Sequence, residues 1–315
     1  SISNLSGENF NPNFEPWGAR VIFYGRHNGN YEIFSIGAGG NNTPLNLTNH
    51  PGNDYNPQYI SDGSKIIFES RRTGNHELFS MNKNGSGVTQ LTFNNGDDSN
   101  FQIATNTIGL DKIIYVSTIF GNQEIFMMNE NGTNIQNLTN HSAHQYNPDI
   151  SADGEQIVYI GENEGHIDLY WENIENGDSL NLTNNNFEER NPQFILNGFY
   201  PNGEQGNYLI YESNKDGSWS MYFQKIPNYN DDLESFLEDN SPIDFLEKNS
   251  SDQSNPSFAN IILDLIEGVY MVYESTEDGT SSIYIVNQFG AHPSAILSGK
   301  ISDSLGDDFL PQIQP

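Results

Sequence analysis

Residues 56–92 read NPQYISDGSKIIFESRRTGNHELFSMNKNGSGVTQLT, and this stretch decides the fold. It contains four short runs rich in β-branched and aromatic residues, which favour strands. Asp-Gly, Gly-Asn and Asn-Gly pairs separate the runs, and such pairs are typical of tight turns between antiparallel strands. Proline stands second, where a missing N–H does least harm to the hydrogen-bond ladder. The stretch therefore predicts one sheet of four antiparallel strands.

The same pattern recurs along the chain with a period of about 45 residues. Copies begin at Asn11, Asn56, Asn100, Asn147, Asn191 and Asn255. A self-similar unit of this length points to a solenoid, a propeller or an array. One small twisted sheet cannot bury both of its faces alone, so four strands per unit indicate the blades of a propeller. We therefore predict an all-β, six-bladed β-propeller with about four antiparallel strands per blade and almost no helix.

The six units account for nearly the whole chain, so we predict a single propeller domain over residues 1–315. The fifth unit carries an acidic insertion at about residues 227–242. We place it on the outside of that blade and expect it to be dispensable for folding. Residues 3–6 resemble a fourth strand and residues 310–313 resemble a first strand. We expect these two ends to meet and close the ring, because closure removes exposed strand edges.

Several short motifs recur together in the units. They are Asn-Pro-x-aromatic, Ser-Asp-Gly, Ile-x-Phe-x-Ser, Gly-Asn-x-Glu-Ile-Phe, Met-Asn-x-Asn-Gly and Asn-Leu-Thr. As a set they resemble the WD40-like repeat of TolB-type six-bladed propellers. The resemblance covers all six units and implies the TolB-like propeller fold. TolB itself has an additional α/β domain before its propeller, and the pattern in this sequence predicts the propeller without that domain.

The composition narrows the partners that we expect. The chain has 12 Lys and Arg against 42 Asp and Glu, which gives a formal net charge of −30. Nucleic acids and anionic membranes attract clustered basic residues, so we expect neither as a partner. The sequence has no cysteine, which excludes a disulfide framework and a thiolate metal site. No apolar run approaches the ~20 residues of a membrane span.

The first residue is Ser1 rather than methionine, which fits a mature chain. We therefore predict an exported protein of the bacterial periplasm or exterior, whose signal or lipoprotein leader has been removed.

Polar residues stand two positions before the repeated asparagines. They are Asp54, Asp98, Gln145, Glu189 and Gln253, with Asp308 in the last turn. The first strands of a propeller surround its channel, so we expect these side chains to form a ligand-binding site at one channel mouth. Ca²⁺ prefers 6–8 oxygen ligands. The candidate calcium ligands are Asp54, Asp98, Glu189 and Asp308. The alternative is structural, because Asp and Asn before a strand often form turns that satisfy local N–H groups.

Two further sets of residues need an interpretation. The motif Gly-Asn-x-Glu repeats a carboxylate at Glu32, Glu77, Glu124 and Asp168. We interpret this carboxylate as scaffold that accepts backbone hydrogen bonds beside a tight turn. His141 and His144 share one loop at a spacing that suits a metal, but exposed loop residues are the simpler interpretation.

Enzyme signatures give the last constraint. No Gly-x-Ser-x-Gly elbow, His-Glu-x-x-His motif or glycine-rich phosphate loop occurs. We therefore predict a non-catalytic binding or scaffolding propeller that holds a protein, peptide or glycan at the channel mouth, with Ca²⁺ as the candidate ion. One alternative is a carbohydrate-active enzyme, a polysaccharide lyase or glycoside hydrolase, with its site in the channel. A lyase would be favoured by Arg or Lys beside His or Tyr, yet only Arg190 lies in the predicted mouth segments. A propeller cut from a longer hydrolase of the prolyl-oligopeptidase type is a further alternative.

Overall fold

The computed structural model describes a large part of the chain. The described residues are 9–16, 18–38, 43–104, 109–163, 165–195, 207–217, 219–227, 233, 242–244, 257–258, 269–275, 282–288 and 296–300. In this part the structure is all-β with almost no helix, as predicted. The strands form antiparallel sheets of four, each made of strands that follow one another in the sequence. The closing of these sheets into a six-bladed ring stays a prediction.

The first three sheets come from the N-terminal part of the chain. The first contains β1 (Asn9–Phe14), β2 (Arg20–His27), β3 (Asn30–Gly37) and β4 (Leu45–Asn46). The second contains β5 (Asp54–Tyr59), β6 (Lys65–Ser70), β7 (Glu77–Asn82) and β8 (Thr89–Gln90). The third contains β9 (Asp98–Ala104), β10 (Lys112–Ser117), β11 (Glu124–Asn129) and β12 (Gln136–Asn137).

The remaining strands complete the pattern. The fourth group contains β13 (Gln145–Ile150), β14 (Gln156–Asn163), β15 (His166–Asn173) and β16 (Ser179–Asn181). The fifth contains β17 (Glu189–Phe194), β18 (Asn207–Ser213), β19 (Ser220–Ile226) and β20 (Ile243–Asp244). The sixth contains β21 (Ser257–Phe258), β22 (Val269–Ser275), β23 (Ser282–Gln288) and β24 (Ile296–Lys300). The described residues divide into two compact units, and the boundary falls after Ile157, within β14.

In the first unit the second sheet buries both of its faces against its neighbours. Ile66 and Phe68 of β6 pack with Ile22 of the first sheet. Ile67, the residue between them, packs with Ile113 of the third sheet. Consecutive residues of a strand point to opposite faces, so this alternation places the second sheet between the other two. All three β6 side chains are fully buried, which explains why β6 reads as an unbroken apolar run.

The repeated asparagine has a conformational cause. Asn11, Asn56, Asn100, Asn147 and Asn191 all have a positive φ, between 47° and 52°. Asparagine tolerates this left-handed region better than other residues with a β-carbon. On β5 the register with β6 shifts between Tyr55 and Gln58, across this asparagine. The residue therefore forms a β-bulge, and the bulge is the feature that the sequence repeats.

Three predicted features fall largely or wholly outside the described residues. They are most of the acidic insertion at 227–242 and the terminal segments 3–6 and 310–313. The placement of the insertion and the meeting of the ends stay predictions.

Candidate functional site

The predicted ligand-binding residues begin the first strands of their sheets. They are Asp54 in β5, Asp98 in β9, Gln145 in β13 and Glu189 in β17, while Gln253 and Asp308 lie outside the described residues. None of the four described side chains is more than 3% exposed. A charged or polar group buried to this extent needs partners within the protein. The partners differ from sheet to sheet.

Asp54 has a cationic partner in its own sheet. Both of its carboxylate oxygens accept hydrogen bonds from Nη2 of Arg72, each at 3.0 Å. Nε of Arg72 donates to Oγ of Ser70 at 2.8 Å, and the guanidinium lies 4.9 Å from the ring centroid of Phe79. These contacts orient the arginine and neutralise the carboxylate, so a cation at Asp54 would have to displace Arg72.

Asp98 lacks such a cation. Its Oδ2 accepts a hydrogen bond from Nδ2 of Asn94 at 2.6 Å. Burial raises the pKa of Asp98 to about 6, and the negative charge of Glu77 adds to the rise. Asp54 and Asp98 pair in register with Ser70 and Ser117, so the position of Arg72 corresponds to Ile119 in the third sheet. An apolar residue in place of the arginine leaves Asp98 without charge compensation from that position.

Glu189 and Gln145 also have local partners. Glu189 accepts hydrogen bonds from Ser213 at 3.0 Å, Thr183 at 3.1 Å and Asn185 at 3.2 Å. Burial raises the pKa of Glu189 although these three donors oppose the rise. Nε2 of Gln145 lies 3.4 Å from Nδ1 of His141. Glu189 is thus satisfied close to its own strand, whereas Oε1 of Gln145 and Oδ1 of Asp98 are buried without a hydrogen-bond partner in the described part of the chain.

A metal site has little support in the described part of the chain. No group of three His, Asp or Glu side chains there is placed to hold a metal ion. Nδ1 of His144 accepts a hydrogen bond from N–H of Gln123 at 3.2 Å, and Nδ1 of His141 accepts one from N–H of Ala143 at 3.2 Å. The convergence of Asp54, Asp98, Glu189 and Asp308 on one Ca²⁺ stays a prediction.

The carboxylate of Gly-Asn-x-Glu is scaffold, as predicted. Glu77 accepts hydrogen bonds from Oγ1 of Thr92 at 2.5 Å, from Nδ2 of Asn75 at 2.9 Å and from N–H of Asn94 at 3.1 Å. Thr92 in turn accepts from N–H of Leu78 at 2.9 Å. Buried carboxylates with equivalent Asn or Thr donors recur in the other sheets, at Glu32, Glu124 and Asp168. The threonine of Asn-Leu-Thr and this carboxylate therefore form one structural motif.

Five aromatic rings form a continuous patch at the end of the first two sheets where β1 and β5 begin, which we call the mouth end. They are Phe10, Tyr24, Tyr31, Tyr55 and His76, and we call them the aromatic cluster. Neighbouring ring centroids lie 5.3 to 6.3 Å apart. Phe10 is 37% exposed, and the other four rings are half-buried. The cluster is therefore accessible to a ligand.

Charged groups surround the aromatic cluster. Arg26 pairs with Tyr31 across the β2–β3 register, so both side chains lie on one face of the sheet. Burial raises the pKa of Tyr55, and the positive charge of Arg71 acts against this rise. Glu69 faces Tyr55 across the β5–β6 register. Nδ1 of His76 lies 3.6 Å from Oε2 of Glu69.

Glu69 has backbone and amide donors as well. Its Oε1 accepts hydrogen bonds from Nδ2 of Asn56 at 2.9 Å and from N–H of Asn100 at 2.8 Å. Nδ2 of Asn11 donates to Oδ1 of Asn56 at 2.5 Å, so the bulge asparagines connect neighbouring sheets. These bonds hold the residues beside the aromatic cluster in place.

In the second unit the start of the first strand, β17, carries different residues. Arg190 occupies the position that Tyr55 has in the second sheet. Nε of Arg190 donates to Oε2 of Glu212 at 2.6 Å, and its guanidinium lies 3.9 Å from the ring centroid of Trp219. Asn191 donates to Oε1 of Glu212 at 3.0 Å, as Asn56 does to Glu69. The asparagine–glutamate pair is therefore common to both units.

Sequence reasoning missed the aromatic cluster because its rings come from five different strands or turns of two sheets. One signal was present: an aromatic residue precedes the repeated asparagine at Phe10, Tyr55 and Tyr146. Sequence reasoning also missed the pairing of Asp54 with Arg72, for which the repeat offers no signal because Ile119 holds the matching position in the next sheet.

The fold and motifs agree with known proteins. Residues 1–110 match the family model of the TolB beta propeller domain. This match confirms the resemblance to TolB-type propellers, and the fold is a β-propeller fold of the TolB type. No match was found among curated protein sequences.

Solved structures show the same fold at low sequence identity. A puromycin-hydrolyzing peptidase of Mycobacterium tuberculosis is similar with a TM-score of 0.62 and 12% identity, over 90% of this chain and 46% of its own. The β-propeller domain of the Trilobed protease from Pyrococcus furiosus has a TM-score of 0.58 and 12% identity, over 95% and 85%. TolB from Acinetobacter baumannii has a TM-score of 0.49 and 16% identity, over 71% and 53%. This chain spans about half the length of that TolB and of the peptidase.

Proposed function

We propose that this chain is a non-catalytic binding propeller that holds a protein, peptide or glycan ligand at the mouth end of its blades. The observation that carries this proposal is the aromatic cluster. Rings with an apolar body and a polar tip bury a large area at a low entropy cost, and they are enriched at binding surfaces. The partial exposure of all five rings fits a surface that a ligand covers.

A contrast within the second sheet supports this interpretation. Phe68 and Phe79 also stack, with centroids 5.8 Å apart, but they are 0% and 4% exposed. Those rings stabilise the core. The rings of the aromatic cluster lie at the mouth end and keep contact with solvent, so their apolar surface is only partly removed from water. A ligand that covered them would gain the remaining free energy of burial.

The carboxylates around the cluster are already engaged, which favours binding over catalysis. Glu69 accepts from two donors and faces His76, while Glu77 accepts from three. A general base or nucleophile needs a free lone pair directed at the substrate. These carboxylates instead hold the loops and strands that carry the rings.

We place the protein in the bacterial periplasm or outside the cell. The TolB-type repeat supports this placement. Among the described residues, no helix has the length and apolar character needed to cross a bilayer.

A polysaccharide lyase is the second candidate function, and one observation favours it. Arg71 acts electrostatically on Tyr55, and Tyr55 stacks on His76 with their ring centroids 5.6 Å apart. An arginine thus acts on a tyrosine that stacks on a histidine, which is the combination expected of a lyase. Burial, however, raises the pKa of Tyr55 and disfavours the phenolate that would act as the base. We therefore prefer the binding function.

The test uses two ring deletions and one control. The variants Tyr31→Ala and Tyr55→Ala remove half-buried rings of the cluster, and Leu45→Ala removes an exposed apolar side chain from β4, at the opposite edge of the first sheet. The labelled proteins are applied to arrays of glycans and peptides, after melting curves have shown that each variant folds. We expect each tyrosine variant to bind the parent's ligands at least tenfold more weakly than the parent does. The leucine variant should bind them as the parent does. Equal binding by all four proteins would refute the proposal.

A further inference from the structure

The two arginines at the aromatic cluster differ from most other cations of the described chain. Arg26 and Arg71 are exposed, and within the described part neither side chain has a carboxylate or a hydrogen-bond acceptor as a partner. Most of the other described Lys and Arg side chains contact protein groups directly. These are Arg20 with Ser35, Arg72 with Asp54, Lys83 with Glu15, Lys112 with the carbonyl of Gly154, Arg190 with Glu212, Lys215 with Tyr222, and Lys225. Lys65 acts only electrostatically, on Asp62 and Glu130, and lies away from the aromatic cluster.

This placement is unusual for so acidic a chain. Acidic residues outnumber basic ones by 42 to 12, so an exposed arginine has many potential partners. Arg26 and Arg71, which have no acidic partner among the described residues, nevertheless lie on the first and second sheets, beside the same set of rings. Guanidinium groups bind carboxylates through two parallel hydrogen bonds, which makes arginine the preferred side chain for recognising them.

We infer that the ligand of the aromatic cluster is an acidic glycan, whose sugar rings stack on the tyrosines and whose carboxylates pair with Arg26 and Arg71. This inference rests on the proposed function and specifies its ligand. A sugar ring has a face of C–H groups and a rim of hydroxyls. The tyrosine rings match the C–H face, and the phenol hydroxyls and bulge asparagines offer partners to the rim.

The site is held in place before a ligand arrives. N–H of Tyr31 donates to Oδ1 of Asn53 at 3.0 Å, which connects the first sheet to the loop that leads into the second. Tyr55 contacts the rings of Tyr24, Tyr31 and His76. Because the rings are ordered by one another, binding requires little further loss of side-chain freedom.

Two negative features of the protein do not prevent the binding of an anion. Glu69 is 3% exposed and is covered by its donors from Asn56 and Asn100. The net charge of −30 repels an anion at long range. At 0.15 M salt this repulsion is screened beyond about 8 Å, whereas direct contacts with the two guanidinium groups are affected less.

An acidic peptide offers carboxylates too, but the shape of the site favours the glycan. The five rings pack against one another with centroids 5.3 to 6.3 Å apart, so they present a continuous surface of faces and edges. The C–H faces of pyranose rings in a row match such a surface, and the carboxylates of successive uronic acid units supply the repeated charge.

The experiment measures binding at 0.15 M NaCl to an array of uronic acid oligosaccharides, each printed beside its carboxyl-reduced form. An oligoglutamate peptide of equal charge is printed as the competing ligand. The proteins are the parent, Arg26→Gln, Arg71→Gln, Tyr55→Ala and the control Lys83→Gln. Lys83 is an exposed cation paired with Glu15, so this control makes the same change in net charge.

We expect the parent to bind at least one uronic acid chain, and the carboxyl-reduced chain at least tenfold more weakly. Arg26→Gln and Arg71→Gln should each weaken binding about tenfold, Tyr55→Ala should abolish it, and Lys83→Gln should leave it unchanged. Melting curves establish that each variant is folded.

Other outcomes overturn the inference in distinct ways. Equal binding of the reduced chains, with loss only in Tyr55→Ala, would show a neutral glycan ligand and leave the proposed binding function intact. Preferential binding of oligoglutamate would replace the glycan with an acidic peptide. A parent that binds nothing on the array overturns the acidic glycan. Release of an unsaturated sugar product would keep the acidic glycan but replace the binding function with that of a lyase.

Discussion

Nη2 of Arg72 donates to both carboxylate oxygens of Asp54, at 3.0 Å each, and the Asp54 side chain is fully buried. The same strand position in the third sheet holds Asp98, and there Ile119 stands where the arginine would be. The same backbone position thus carries a carboxylate paired with a cation in the second sheet and a carboxylate without such a cation in the third. The difference leads to two predictions about stability.

The first prediction concerns the ion pair in the second sheet. Replacing Arg72 with leucine leaves Asp54 charged and buried, which we expect to lower the free energy of unfolding by about 3–5 kcal/mol. Urea unfolding measures the loss. The double variant Asp54→Asn/Arg72→Leu should be more stable than Arg72→Leu alone, because it removes the uncompensated charge. A double variant less stable than the single variant would show that the arginine acts through packing on Phe68 and Phe79.

The second prediction concerns the pH dependence that Asp98 confers. An unfolded aspartate has a pKa of about 3.9, and burial raises the pKa of Asp98 to about 6 in the folded protein. Between about pH 4 and pH 6 the folded state therefore binds the extra proton, and the free energy of unfolding falls as the pH rises through this window. The loss amounts to about 3 kcal/mol, since one pKa unit corresponds to ~1.4 kcal/mol.

Asp98→Asn should remove this component. We expect the difference in urea stability between parent and variant to favour the variant more at pH 7 than at pH 4. Ile119→Arg should also stabilise the protein at pH 7, because it supplies the missing cation, and Ile119→Gln serves as its uncharged control. If the difference in the free energy of unfolding between the parent and Asp98→Asn does not change with pH, the prediction is wrong.

The third prediction concerns Ca²⁺. The oxygens of Asp54 and Glu189 already accept from protein donors, so a Ca²⁺ ion at the predicted ring would have to compete with these donors. Without such a site, millimolar Ca²⁺ raises the melting temperature no more than choline or Na⁺ at matched ionic strength. The comparison is made in the parent and in Asp54→Asn/Asp98→Asn. A rise specific to Ca²⁺ that disappears in the double variant would instead establish the calcium site at the predicted ring, because a ligand at ~100 times its dissociation constant adds about 2.7 kcal/mol.

The fourth prediction concerns the β-bulge. Asn56 has a φ of 49° and donates to Glu69 at 2.9 Å. Asn56→Ala should cost about 2–3 kcal/mol, because alanine adds ~1–2 kcal/mol of left-handed strain and the buried carboxylate loses a donor. Asn56→Gly relieves the strain but not the lost hydrogen bond, so it should cost less than Asn56→Ala. Chemical unfolding of both variants gives the comparison, and equal losses would show that the conformation is not the reason for the asparagine.

The repeat determined much of the fold in advance because its signals are local. Strand runs, turn pairs and the bulge asparagine act over a few residues, so each copy specifies its own sheet. The first strands were expected to begin near Asn11, Asn56 and Asn100, and they begin two residues earlier, at Asn9, Asp54 and Asp98. The scaffold role of Glu77 was also predictable, because its partners Asn75, Thr92 and Asn94 belong to the same repeat.

The candidate site was only partly predictable. The sequence placed Asp54 and Asp98 at the mouth end, but it did not show that both side chains turn into their own sheets and are fully buried. Orientation depends on the pairing of β5 with β6 and of β9 with β10, which places Ser70 and Ser117 opposite the two carboxylates. The spacing of Asp54 and Asp98 in the sequence therefore predicted where the carboxylates lie along the chain. It did not predict which groups these carboxylates contact.

The sequence alone determined that this chain forms four-stranded antiparallel sheets of the TolB type, since hydrophobic alternation and turn chemistry act within one 45-residue unit. Only the tertiary structure decided which surface is available to a ligand. Phe10, Tyr24, Tyr31, Tyr55 and His76 are up to 66 positions apart in the chain and meet only because the second sheet packs on the first. Arg26 and Arg71 reach the cluster within their own repeats, Arg26 opposite Tyr31 and Arg71 near Tyr55, but only the packing of the two sheets brings both arginines to the same rings, and no local pattern encodes that packing.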